Sequence, residues 1–119
     1  MRIFVRALIV TGLLAMPVLA QAAGDDNNGY TQIMQGKLAA AEAMLVQQRR
    51  MFPGDADLTL NLAAIYANTG RVTQARALYA DVLRQPDQSM KMAHQRTASS
   101  HVIATIGLKR IAATELTAR

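Results

Sequence analysis

The sequence predicts an all-α fold of antiparallel helical hairpins, capped by a further helix at the C-terminal end. Three observations carry this expectation. Apolar residues recur at helical spacing in three consecutive stretches. The breaks between them are short, which forces neighbouring helices to run antiparallel. Positions also match across a shift of 34 residues: Gly36 with Gly70, Ala41 with Ala75, and Leu45 with Tyr79.

The chain has 119 residues, a length suited to one domain. Residues 1–22 read as a secretory signal peptide. Arg2 and Arg6 form its positive start. Ala7 to Ala20 is a mainly apolar stretch of 14 residues. That is too short for a helix to span a hydrocarbon core of roughly 30 Å. Pro17 breaks this stretch near its end. Ala20-Gln21-Ala22 is a small-x-small cleavage site, with cleavage after Ala20 as the rival and an uncleaved anchor as the alternative. The chain is therefore expected to be exported, as a periplasmic or secreted protein. Residues 23–29 read as a polar, flexible linker.

The elements follow in order. In 37–50, Leu38, Ala41, Leu45 and Gln48 share a helical face, with Met44 beside it. Phe52-Pro53-Gly54-Asp55 stops that helix, and Asp55 or Asp57 is placed to cap the next. In 57–69, Leu58, Leu62, Ile65 and Tyr66 form the stripe, and Asn68-Thr69-Gly70 ends it. In 71–84 the stripe is Val72, Ala75, Leu78, Tyr79, Val82 and Leu83, ended by Pro86. Residues 88–98 connect to the last helix. Met90 and Met92 alternate there, weakly suggesting a short extended piece. Ser99 or Ser100 then caps a helix running from His101 towards Thr117. Val102, Ile106, Ala113 and Leu116 lie on one side of this helix, and Ala104, Leu108 and Ile111 lie almost opposite. One side is expected to cover the preceding helices and the other to stay partly exposed. The side bearing Leu108 and Ile111 is the one assigned to a partner.

The run Leu60-Asn-Leu-Ala-Ala-Ile-Tyr66, followed by Gly70, Ala75, Tyr79, Leu83 and Pro86, resembles the tetratricopeptide repeat. Gly36 to Leu45, with Pro53, looks like the second helix of a preceding repeat. The resemblance covers about residues 30–87, or about one and a half repeats, in an exported chain of bacterial type. It implies that the first helix of each repeat lines a concave groove for a peptide or partner helix. The matching face is Asp57, Leu60, Asn61, Ala64 and Asn68. Asn61 falls where the family often hydrogen-bonds a ligand's main chain; a bond within the fold is the equal alternative.

Composition narrows the chemistry. There is no cysteine, which excludes disulfides, thiolate catalysis and zinc–cysteine sites. His94 and His101 are the only histidines, seven residues apart, and make no convincing metal site. Ser99-Ser100-His101 is better read as a helix cap than as catalytic, because adjacent helical side chains do not face each other. The sequence therefore predicts neither an enzyme nor a cofactor.

Residues 88–119 hold Lys91, Arg96, Lys109, Arg110 and Arg119 against Glu115 alone. Export and the scarcity of aromatics argue against nucleic acid. The expected function is a protein–protein interaction module, an adaptor or accessory subunit of the cell envelope whose partner has no signature here. The alternative is a membrane-surface or polyanion binder using the basic C-terminal segment. The two-sided apolar pattern of the last helix leaves homo-oligomerisation open.

Overall fold

Helix stops and apolar spacing set the course of the chain. The computed structural model describes residues 28–117. The expected signal peptide and most of the expected linker lie outside the described residues. Five α-helices are present among them: α1 (Tyr30–Met34), α2 (Leu38–Met51), α3 (Ala56–Asn68), α4 (Val72–Arg84) and α5 (Ser100–Thr117). The fold is the all-α arrangement of hairpins that the periodicity predicts, with one small strand pair added.

The 34-residue repeat is written in the backbone. Gly36 and Gly70 both take positive φ, 76° and 81°, where a Cβ would be strained. Each glycine is followed by the same closing bond. Lys37 N–H donates to the Gln32 carbonyl at 2.8 Å, and Arg71 N–H donates to the Tyr66 carbonyl at 2.8 Å. These six-residue closures are the usual way a left-handed residue ends a helix.

α3 is the centre of the molecule, and every residue from Leu58 to Ile65 is buried. Its Leu58, Leu62, Ala64 and Ile65 join Ile33, Ala41 and Leu45 in one apolar cluster. Its Ala56, Leu60 and Ala63 join Ala75, Tyr79, Val82, Ile103 and Ile111 in a second. Burying a Leu or Ile contributes about 1.5–3 kcal/mol. A helix serving two clusters therefore holds both halves together.

Of the two aspartates placed to cap α3, Asp57 accepts from the Leu58 and Asp57 N–H groups in the first turn. Asp55 occupies the N-cap position, but its side chain makes no cap bond. Gln88 supplies one there. Its Oε1 accepts from Ala56 N–H at 3.2 Å, and its Nε2 donates to the Gly54 carbonyl at 2.7 Å.

The connector is ordered. β1 (Ser89–Lys91) pairs antiparallel with β2 (Thr97–Ser99), with Met90 opposite Ala98. A 3-10 turn over Ala93–Gln95 joins them, with His94 and Gln95 at φ 60° and 59°. Met90 and Met92 point inward and Lys91 outward, the period of two that a strand imposes.

α5 lies against α4 and α3, as a helix covering the repeat should. Its orientation reverses the expectation. Ile103, Ala104, Gly107 and Ile111 are buried and Leu108 is half-buried, while Val102 and Leu116 are exposed. Gly107 decides this. A Cβ there would sit 2.3 Å from Cζ of the buried Tyr79, so only a glycine lets the helix dock this closely. A count of apolar side chains does not register a residue whose contribution is having none.

Candidate interaction surface

The face of α3 predicted to meet a partner is mostly closed. Leu60, Asn61 and Ala64 are 2%, 0% and 1% exposed. Only Asp57 and Asn68, at its two ends, keep partial exposure. The five residues share a helix but do not form an open floor. Neighbours on both sides explain why. Ile33 of α1 packs in the cluster holding Ala64, and α5 brings Ile103 and Ile111 into the cluster holding Leu60.

Asn61 bonds within the fold. Its Nδ2 donates to the main-chain carbonyl of Asn28 at 2.8 Å. Asn28 is itself buried; its Oδ1 accepts from Tyr30 N–H at 3.1 Å, and its side chain hydrogen-bonds Asp57. Composition grouped Asn28 and Gly29 with the linker, yet both pack into the folded unit. Asp57 has its carboxyl raised above the usual range, first by burial and then by the charge of Asp55. Asn68 donates to the Ala64 carbonyl at 2.9 Å along its own helix.

Serine, histidine and aspartate do converge, at the start of α5. Ser99 Oγ donates to Asp87 Oδ1 at 2.6 Å, and Ser100 Oγ donates to the same oxygen at 3.1 Å. The main-chain N–H of His101 also donates to it, at 3.1 Å. The imidazole Nε2 lies 2.7 Å from the Gln85 carbonyl, away from both serines. A triad needs the ring between hydroxyl and carboxylate. Here the carboxylate takes the hydroxyls directly, and the cluster is a helix cap. Ser99 Oγ accepts from Val102 N–H at 3.2 Å, the N-cap bond expected of it. These bonds, led by that from Ser99, hold the Asp87 carboxyl below its ordinary value.

Ion pairs brace the helices against one another. Arg71, just before α4, grips Glu42 of α2 with both arms, Nη1 to Oε2 at 2.8 Å. Its guanidinium also lies 4.6 Å from the Tyr66 ring centre. The Arg71 bond lowers the Glu42 carboxyl. Arg49 of α2 donates to Thr59 Oγ1 of α3 at 3.1 Å. Arg76 of α4 pairs with Glu115 of α5. Tyr79, pushed up to about 12 by burial, stays neutral in the second cluster.

The outer side of α5 is open, as are Met34, Met51 and Phe52 at the C-terminal ends of α1 and α2. Val102 is 54% exposed and Leu116 70%, with Ala113 exposed and Ile106 half-buried between them. Lys109 and Arg110 are also exposed there, and no described carboxylate lies within ion-pair distance of either. No described helix is long and apolar enough to cross a membrane. No cluster of three or more metal-ligating side chains exists among the described residues.

Sequence reasoning missed Gly107, Gln88 and Asp87. Gly107 had a signal, since a glycine inside a helical pattern costs about 1 kcal/mol and wants a packing reason. Gln88 and Asp87 had none, because each acts on a helix start distant from it in sequence.

Comparison with known proteins agrees with this geometry. No curated protein and no solved structure matches the chain. A family model described as the tetratricopeptide repeat matches residues 32–96, which takes in α2, α3, α4 and the strand β1. Such repeats form a protein-interaction fold that is generally non-catalytic, and the chain belongs to the tetratricopeptide repeat family.

Proposed function

We propose that this protein is an exported interaction module, an adaptor or accessory subunit of the cell envelope, which binds a peptide or helix of a partner protein. Family membership supports the binding role. The charged, apolar and proline-broken pattern of residues 1–22 supports export. The single observation that carries the reading is the braced stack with one apolar side left open on α5. A rigid scaffold presenting an exposed apolar stripe is built for recognition by shape. Asp57 and Asn68 remain as rim contacts, while Leu60, Asn61 and Ala64 hold the scaffold from within.

The test places photo-crosslinking residues at Asn68 and Val102, with a control at the exposed Arg50, in the native cell. The expected result is a chain beginning at Gln21 or Ala23 in the envelope fraction, with one distinct protein adduct at a probe site and none at the control. A chain retained whole in the cytoplasm would end the export reading. Adducts absent at both sites would end the binding reading.

A second reading has its own observation. Lys91, His94 and Arg96 are exposed on the hairpin, and Lys109 and Arg110 on α5. Glu115, their only acidic neighbour in that segment, is held by Arg76. This surface suits an anionic lipid or polyanion, and its binding would weaken steeply with salt. Sedimentation with anionic vesicles that is absent, or unchanged by salt, removes it.

A further inference from the structure

We infer that the outer side of α5 is a docking site for an amphipathic helix of another protein, one carrying an acidic residue at the middle of its apolar stripe. The inference rests on the interaction-module reading and names the surface and the partner's chemistry.

The stripe has the geometry of a helix–helix seam. Val102, Ile106, Lys109, Ala113 and Leu116 follow one another at intervals of three or four residues along one side of α5. They span about 21 Å at 1.5 Å per residue, close to four turns. The opposite side packs on Tyr79 and its neighbours through Ile103, Ala104, Gly107 and Ile111, so the two sides do not compete. A helix that closes a repeat stack against water carries a polar outer face. Val102 and Leu116 break that rule, and no described residue covers them.

Charge selects the occupant. Lys109 sits at the centre of the stripe, seven residues from Val102 and seven from Leu116. Arg110 flanks it, and neither has an ion-pair partner among the described residues. A second copy is the wrong occupant. Antiparallel pairing of two α5 helices would match Val102 with Leu116 and bring two Lys109 ammonium groups together. Among the described acids of a second copy, only Asp55 at the start of α3 is exposed without a side-chain bond, and it does not lie on α5. Glu42, Asp81 and Glu115 are ion-paired, Asp87 caps α5, and Asp57 is bonded to Asn28. A buried charge within an apolar helical seam fixes register and partner when it meets its opposite. The occupant that fits offers an apolar stripe with a carboxylate opposite Lys109.

The test uses the processed full chain and two synthetic amphipathic helical peptides with a leucine stripe. One carries glutamate at the centre of the stripe and the other lysine. Binding is read by fluorescence anisotropy. The glutamate peptide should bind. Lys109→Glu should weaken it at least about tenfold, and Leu116→Asp should do the same. The Lys109→Glu chain should in turn bind the lysine peptide, a rescue that general surface stickiness would not produce. Both substitutions lie on exposed positions, and unchanged helical circular dichroism confirms the fold.

Equal binding of both peptides, or indifference to Lys109→Glu, overturns the inference. So does binding to phosphatidylglycerol vesicles without binding to the glutamate peptide, or a dimer in sedimentation that Leu116→Asp dissolves. Partner adducts at Asn68 together with no peptide binding at α5 would leave the interaction-module reading standing and sink this surface alone.

Discussion

The two seams that flank the central hairpin are held by different means. On the side of α2, Leu45 and Ala41 pack on Leu58, Leu62 and Ile65, and the edges are tied by Glu42–Arg71 and Asn61–Asn28. On the side of α5, Tyr79 and Ala75 pack with Ile103, Ala104 and Ile111, and the start of the helix is held by Asp87. Leu45 and Tyr79 are equivalent positions, 34 residues apart. Each is met by a glycine. A Cβ on Gly29 would lie 3.0 Å from Leu45 Cδ1, and one on Gly107 would lie 2.3 Å from Tyr79 Cζ. The larger tyrosine makes the second contact the tighter one. The first seam is thus ordinary repeat packing trimmed with polar bonds. The second depends on one close approach and a cap supplied from the connector.

If that contrast is right, the largest effect belongs to Gly107→Ala. The Tyr79 ring is buried and has little room to retreat, so the overpacking should cost about 3 kcal/mol. Urea denaturation measures it. In a Tyr79→Leu background the same change should cost much less, and a fully additive pair would break the account of this seam.

Asn61→Ala probes the first seam next. It leaves the buried Asn28 carbonyl without its donor and should cost about 2 kcal/mol. A near-neutral result in the same denaturation experiment would show that Asn61 is not a structural bond. The Asn61 bond also bears on what could be read beforehand. Sequence left Asn61 balanced between a ligand bond and an internal one. Nothing local distinguishes them, because the answer lies in whether residue 28 reaches across α3. The groove face was legible as a helical face but not as a closed one. Closure depends on α1 and α5, which approach from both ends of the chain.

A smaller effect separates the seams by pH. Asp87 and Glu42 both have folded carboxyl values below their ordinary ones, through Ser99 and Arg71 respectively. Their contribution is complete above the unfolded carboxyl range of ~4 and is lost as pH falls through the lowered folded values. Asp87→Ala should remove part of that acid-side loss, read as a flatter melting temperature against pH below ~4. Asp57 has the opposite sign. Its value is raised by burial, so protonation relieves the fold, and Asp57→Asn should steepen the acid loss. A pH profile identical in all three proteins would contradict both assignments.

The smallest effect is expected at the Glu42–Arg71 pair. Both side chains are about a third exposed, so solvent screens the pair. A double-mutant cycle should give a coupling of about 0.5 kcal/mol that shrinks with added salt. A coupling several times larger would mean that the first seam, too, hangs on one contact.

Local chemistry decided much of this protein in advance. Helix limits came within a residue or so of the observed ones, because Pro53, Gly36, Gly70 and Pro86 act on the backbone beside them. The repeat was legible because equivalent glycines and small residues recur at one spacing. Ser99 was legible as a cap because its bond spans only three residues. Tertiary structure alone decided which side of α5 faces inward. Both sides are apolar, so periodicity could not choose between them. The choice fell to the gap at Gly107 against Tyr79, a fit between two helices that no spacing within either one records.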